Sequence, residues 1–250
     1  MRGWRGDVRG NVAGLARETV SVPNDSLPIL AEDISSCVAC PRLVAWRERV
    51  AVEKRASFHD DVYWGRGVPG FGDPGASVLV LGLAPAAHGA NRTGRVFTGD
   101  RSGDWLFRAM HRAGMANQPT SVSIDDGLAL HGAWVAAAVR CAPPANKPTP
   151  DERRTCLPFL QREIALLSRL RVVVVLGHFA YDVVRRDLLA ETSVMLPKFG
   201  HGVVGEVTLA GGRLVRVICS YHPSQQNTFT GVLTEAMLDD VMRQATHLGR

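Results

Sequence analysis

Four apolar runs divide the chain: "SVLVLGL" (77–83), "WVAAAV" (134–139), "RVVVVLG" (171–177) and "RLVRVICSY" (213–221). They are rich in β-branched residues, and the middle two lack polar alternation, as expected of strands covered on both faces. Between them lie segments of helical periodicity. "DWLFRAMHRAG" predicts a helix from near Asp104 to Gly114. "TPDERRTCLPFLQREIALLSRL" opens with Thr149 as N-cap and Pro150 at the first helical position. "FAYDVVRRDLLA" follows the third run. "TEAMLDDVMRQATHL" sets Met237, Leu238, Val241, Met242 and Ala245 on one stripe. Strand alternating with helix predicts an α/β fold, a parallel sheet with helices on both sides.

In such sheets ligands bind beyond the carboxyl ends of the strands. Here those ends run into "APAAHGANRTGR", "RCAPPANKP", "GHFA" and "HPSQQN". Three of the four are rich in Pro, Asn, His and basic residues. The first is unusual for a site: from Gly82 to Val96 it holds no carboxylate, no Cys and no Ser.

Composition changes this picture only modestly. The chain has 250 residues, 46% hydrophobic and 21% charged. That predicts one soluble globular domain over residues 31–250, after a loosely ordered extension over residues 1–30. A net charge of +5 and a pI near 9.2 permit a polyanionic partner without requiring one. No segment approaches the ~18 apolar residues of a membrane span. The N-terminal residues are too broken by Arg, Asp and Gly for a secretory core. The expectation is a cytoplasmic monomer with no membrane contact.

The five cysteines are Cys37, Cys40, Cys141, Cys156 and Cys219. Cys37 and Cys40 form a C-x2-C, whose turn aims two thiolates at one point. With Cys141 after the second strand and Cys156 in the next helix, four thiolates suffice for an iron–sulfur cluster or a structural zinc. Spacing alone does not separate these, nor exclude an incidental C-x2-C with ordinary buried cysteines. Cys219 reads as a small buried hydrophobe.

The stretches "GLAPAAHGANRTGRVFTGD", "AVRCAPPANKPTP" and "SYHPSQQNTFTGVLT" resemble the family five uracil-DNA glycosylases. "CVACPRLVAWRERV" and "YWGRGVPGFGDP" resemble the family's N-terminal part, so the likeness spans roughly residues 35–248. It implies a three-layer α/β/α sandwich around a four-stranded parallel sheet. It also implies one structural [4Fe-4S] cluster on Cys37, Cys40, Cys141 and Cys156, and no diffusible cofactor. The implied partner is DNA bearing uracil or another deaminated base, extruded and hydrolysed to leave an abasic site.

The likeness implies roles residue by residue. His222 would donate to a base oxygen as that oxygen gains charge; otherwise it is a solvated loop histidine. Asp100 would orient water, although it equally suits the N-cap of a helix. Asn146 would help place water or the sugar, or serve as a turn residue after Pro-Pro. Phe97 would stack on the flipped base; the other reading is a core ring under the loop. Gly82, Ala84, His88 and Asn91 would shape the pocket. Ala137 would stand where relatives read uracil with an Asn. A pocket without that amide would accept hypoxanthine, xanthine and ethenocytosine as well as uracil. Arg92, Arg95, Arg140 and Lys147 are candidate phosphate contacts, and Ser224, Gln225, Gln226 and Asn227 form the segment that would probe the duplex.

A damage-recognition protein that holds a base without cleaving it is the alternative, favoured by the loop's missing carboxylate. A small-molecule phosphotransfer or hydrolytic enzyme would need a Gly-rich anion cradle such as G-x-x-x-x-G-K-[ST], which the chain lacks.

Overall fold

The computed structural model describes residues 24–189, 196–209 and 212–250. Two helices, α1 (Leu27–Ser36) and α2 (Pro41–Glu53), precede the sheet. Then come β1 (Phe71–Gly72), β2 (Val78–Gly82), α3 (Ala90–Thr93), α4 (Arg101–Arg112), β3 (Ala133–Ala137) and α5 (Pro150–Leu166). The chain continues through β4 (Val172–Leu176), α6 (His178–Val183), β5 (Val204–Thr208), β6 (Leu214–Ser220), α7 (Gln225–Phe229) and α8 (Glu235–Leu248). Most of the expected N-terminal extension, residues 1–23, lies outside the described residues. Its last part is helical, with Leu30 buried in α1.

The strands align in the order β1-β3-β2-β4-β6-β5. The four predicted runs, β3, β2, β4 and β6, form a parallel centre. This corrects the expected count: β1 and β5 add antiparallel edges, giving a sheet of six strands among the described residues. Both edges escape the apolar-run signal for physical reasons. β1 is only two residues long, and β5 buries only Val207 among its five.

Strand alternation divides the core in two. Val78, Val80, Val135, Val172, Val174 and Ile218 face α4 and α8, while Leu79, Leu81, Trp134, Val173, Val175 and Val217 face α5 and α6. Covering both faces explains why β2, β3 and β4 read as unbroken apolar runs, every residue of each being buried. The stripe on α8 packs as its spacing predicts, with Leu238, Val241, Met242 and Ala245 buried.

The helix starts follow their caps. Thr149 and Glu152 form a reciprocal capping box at α5. The helix expected from Asp104 instead begins at Arg101, because the Asp100 side chain caps it and Asp104 becomes a first-turn acid. Since β3 follows β2 on one side and β4 lies on the other, the crossover reverses beside β2. A crevice therefore opens beyond the carboxyl ends of β2 and β4.

Candidate active site

A cleft of about 470 Å³ occupies that crevice, within the range of small-molecule sites. Its wall is made by Leu83, Ala84, Ala86, Val96 and Phe97 from the loop after β2, by Asp100, Arg101 and Ser102 at the start of α4, by Asn146 after β3, and by His222, Ser224, Gln225 and Gln226 after β6. The sheet thus brings together residues up to 143 positions apart in sequence, Leu83 and Gln226.

Backbone geometry places the key side chains. Gly82 ends β2, and a Cβ there would lie 2.6 Å from Phe97 Cζ, so the ring lies directly across the glycine. Phe97 is held at φ 54°, and Ala145 and Asn146 at 52° and 55°. Two of these left-handed non-glycine residues, Phe97 and Asn146, line the cleft, and strained backbone of this kind gathers at functional sites. The Phe97 ring is buried against the core and tilts 35° to the His222 ring at 6.1 Å between centroids. Its two readings therefore merge: it is both a core ring and part of the cleft wall.

His222 follows β6. Its carbonyl accepts from Asn227 Nδ2 at 2.9 Å, and Gly177 approaches so closely that a Cβ there would lie 3.1 Å from His222 Cβ. Burial lowers the His222 pKa to about 4, so the imidazole is neutral near pH 7. The residue is half-buried and lines the cleft.

Asp100 caps α4 and also lines the cleft. Its Oδ1 accepts from Gly103 N at 3.0 Å, capping α4, while the carboxylate lines the cleft. Burial raises its pKa above the usual carboxylate value, with the Gly103 and Ser102 amides pulling the other way. A Cβ on Gly89 would lie 2.1 Å from Asp100 Oδ2, so that glycine makes room for the carboxylate.

Several expected contacts lie elsewhere. Arg140 and Arg95 are buried and paired, Arg140 with Glu163 and Arg95 with both oxygens of Asp126 at 2.8 and 2.7 Å. Neither is free for a phosphate. Arg92 pairs with Asp61 at 2.6 Å and bonds the carbonyls of His88 and Gly99, fastening both ends of the loop after β2. Asn91 is fully buried and donates to the carbonyls of Arg47 and Ala87; His88 Nδ1 meets the Tyr63 hydroxyl at 3.0 Å. Neither lines the cleft. Ala137 pairs with Gly82 in the sheet and sits in the core below it, so it presents nothing to a ligand. Asn227 braces His222 and is not part of the wall. Of the expected cations only Lys147 is exposed.

One cation was missed by the sequence reading. Arg101 lines the cleft, and its guanidinium lies 4.0 Å from the centre of the Phe229 ring, which is 68% exposed. A lone Arg in the first turn of a helix carries no signal that separates it from ordinary surface charge.

On the other side of β3, Cys37, Cys40, Cys141 and Cys156 line one small cavity with Ile34, Leu43 and Phe159. The Cys141 thiol accepts from Arg47 Nη1 at 2.9 Å, and the Cys156 thiol from the Arg140 amide at 3.2 Å. Burial pushes Cys156 up to about 12 and also raises Cys141, the latter opposed by Arg47. Cys219 is buried in β6, apart from this group. Among the described residues no set of three or more His, Cys, Asp or Glu is spaced for a single metal ion. Nor is any helix among them long and apolar enough to cross a membrane.

Comparison with known proteins places the chain in a family. The sequence model of the uracil DNA glycosylase superfamily matches residues 69–246. The chain is 57% identical over 216 residues to a type-5 uracil-DNA glycosylase of Mycobacterium tuberculosis, covering 86% of this chain and 79% of the relative. It is 48% identical to the type-5 uracil-DNA glycosylase of Thermus thermophilus, over 87% of this chain and 95% of the relative. The corresponding protein of Pyrobaculum aerophilum is 47% identical, over 84% and 88%. The cleft beyond β2, β4 and β6, set in this fold, is that of a chain that belongs to the uracil-DNA glycosylase superfamily.

Proposed function

We propose that the protein is a monofunctional DNA glycosylase, a cytoplasmic monomer that extrudes a deaminated nucleotide into the cleft and hydrolyses its N-glycosidic bond. The observation that carries this reading is the convergence of Phe97, Asp100, Asn146 and His222 on one cleft. The type-5 relatives bear the name of the same activity.

The chemistry follows from the wall. Phe97 supplies a stacking face worth ~1–3 kcal/mol, largely independent of which base is bound. As the glycosidic bond breaks, its electron pair goes to the base and positive charge is left on the sugar. Neutral His222 donates a hydrogen bond to the base oxygen that gains charge, without losing its own proton. Asp100 holds a water against the sugar carbon; the water's oxygen bonds there and its proton passes to the carboxylate or the departing base. Asn146, exposed at the rim, helps hold the water or the sugar.

Substrate breadth follows from what the wall lacks. Leu83, Ala84, Ala86 and Val96 present no side-chain donor to a base edge. Recognition on that side then rests on shape, stacking and backbone, and the His222 donor serves a base oxygen without reading the rest of the edge, so hypoxanthine, xanthine and ethenocytosine are substrates beside uracil. Arg101 and Lys147 contact phosphates, and Ser224, Gln225 and Gln226 meet the duplex.

The four cysteines fit one structural [4Fe-4S] cluster. They surround a common apolar cavity, two of them accept N–H donors, and Arg47 beside them is a buried cation with an orphaned Nε. The cluster would fasten α1, α2, the end of β3 and α5 together.

The test is cleavage of a duplex containing uracil, hypoxanthine or xanthine, followed by alkali. Strand scission at the damaged base is expected. Tight binding with every strand intact would favour the damage-binding alternative. Iron and sulfide per chain test the cluster separately.

A further inference from the structure

The molecule has three buried arginines, Arg47, Arg95 and Arg140, among its described residues. Two are balanced by buried carboxylates, Arg95 by Asp126 and Arg140 by Glu163. Arg47 is not. It is 2% exposed, has no carboxylate partner among the described residues, and its Nε has no hydrogen-bond partner. Its other nitrogens point at the cysteine cavity: Nη1 donates to Cys141 Sγ at 2.9 Å and Nη2 to the Cys37 carbonyl at 3.0 Å. A guanidinium removed from water without a counter-charge is costly. The groups placed to balance it are the thiols, and a four-thiolate iron–sulfur cluster is a net anion.

The same residue is joined to the cleft. The Arg47 carbonyl accepts from Asn91 Nδ2 at 3.2 Å. Asn91 in turn donates from its backbone amide to the Ala86 carbonyl at 3.0 Å and from Nδ2 to the Ala87 carbonyl at 3.4 Å. Ala86 lines the cleft. Asn91 Oδ1 is buried without a partner, so the side chain is held there for its donors. One residue and one amide thus separate a cysteine sulfur from the wall that receives the base.

Resting on the cluster reading above, we propose that Arg47 is a positioning residue that is the counter-cation of the cysteine-bound centre and, through Asn91, fixes the loop after β2 to it. The guanidinium sits beside one of the sulfurs that would hold the cluster, and a nearby cation favours the more negative, reduced form. Removing its positive charge therefore disfavours the reduced cluster. Losing the fork to Cys141 and Cys37 also leaves α2 free to shift, exposing the cluster and slackening the loop.

The experiment uses the full-length protein as purified, with iron and sulfide measured first. A wild-type protein free of both would remove the cluster reading and this inference with it. Given a loaded wild type, Arg47→Gln should lose its visible absorption to a chelator with oxidant at least tenfold faster, and its reduction potential should fall. Arg47→Lys keeps the charge without the fork; its potential should stay near wild type while bleaching is several-fold faster. Asn91→Leu should keep wild-type iron and bleaching yet slow single-turnover cleavage at least fivefold. Wild-type potential and bleaching in Arg47→Gln would overturn the electrostatic pairing. Should that variant not fold, a reduction potential in Arg47→Lys far below wild type would do so, since the charge is kept there. Wild-type cleavage in Asn91→Leu would overturn the link to the loop.

Discussion

Asp100 Oδ1 accepts a hydrogen bond from the Gly103 amide at 3.0 Å while the same carboxylate lines the cleft, the one acid among its described wall residues. Capping and chemistry can therefore be separated by a single atom. Asn caps helices about as well as Asp, so Asp100→Asn should keep α4 intact. Burial raises the carboxyl's pKa, so ionising it costs the folded state stability as pH rises through the window above ~3.9. At pH 7 the variant should melt no lower than wild type, yet cleave at least tenfold more slowly in single turnover. Wild-type cleavage would reduce Asp100 to a cap. In wild type the acid limb of the rate profile should lie above the ordinary carboxylate range.

His222 gives a prediction of opposite sign. Its unfolded pKa near ~6.5 falls to about 4 in the fold through burial. Between those values the unfolded chain binds the proton and the folded chain does not. Stability should thus be fully present above ~6.5 and decline as pH drops toward 4. His222→Ala should flatten that decline in thermal melts. The same change should cost roughly 10²–10³ in cleavage rate, the usual effect of losing one donor to a developing anion. The wild-type rate should show no limb near ~6.5.

Much of this arrangement was legible in the sequence. Three of the four parallel strands showed as unbroken apolar runs because both their faces are buried, β6 showed as a run interrupted by the exposed Arg216, and rules for sheet topology then named the cleft. Edge strands such as Phe71–Gly72 are too short to carry a pattern. The ion pairs were hidden for another reason. Arg95 meets Asp126, and Arg140 meets Glu163, across 31 and 23 residues. Nothing in a single sequence pairs such distant charges, so both arginines resembled free surface cations beside a ligand loop. Asp100 was ambiguous because one side chain both caps α4 and lines the cleft.

Gly82 and Phe97 supply a test of stacking. A methyl on Gly82 would lie 2.6 Å from Phe97 Cζ, and the ring has the core behind it. Gly82→Ala should therefore drive the ring into the space meant for the base. Loss of a stacking face worth ~1–3 kcal/mol predicts capture weakened roughly five- to hundredfold. The factor should be similar for uracil and hypoxanthine, since stacking is tolerant of base identity. A loss confined to one base would instead mean that the position reads an edge.

Salt dependence separates the exposed cations from the buried ones. Each phosphate neutralised contributes about −0.9 to the slope of log affinity against log salt. Arg101 lines the cleft and Lys147 is exposed, so each is available to a phosphate. Arg101→Ala and Lys147→Ala should each make the slope shallower by about 0.9 while leaving the melting temperature unchanged. Arg140→Ala should do the reverse. It strands Glu163, itself 1% exposed, as an uncompensated buried charge. That typically costs ~3–5 kcal/mol, so the variant should melt far lower, with the salt slope of its folded fraction unaltered. Arg95→Ala should behave in the same way through Asp126. If Arg140→Ala stayed stable and lost salt dependence, the guanidinium would have to leave Glu163 for DNA, and its assignment as a structural charge would fail.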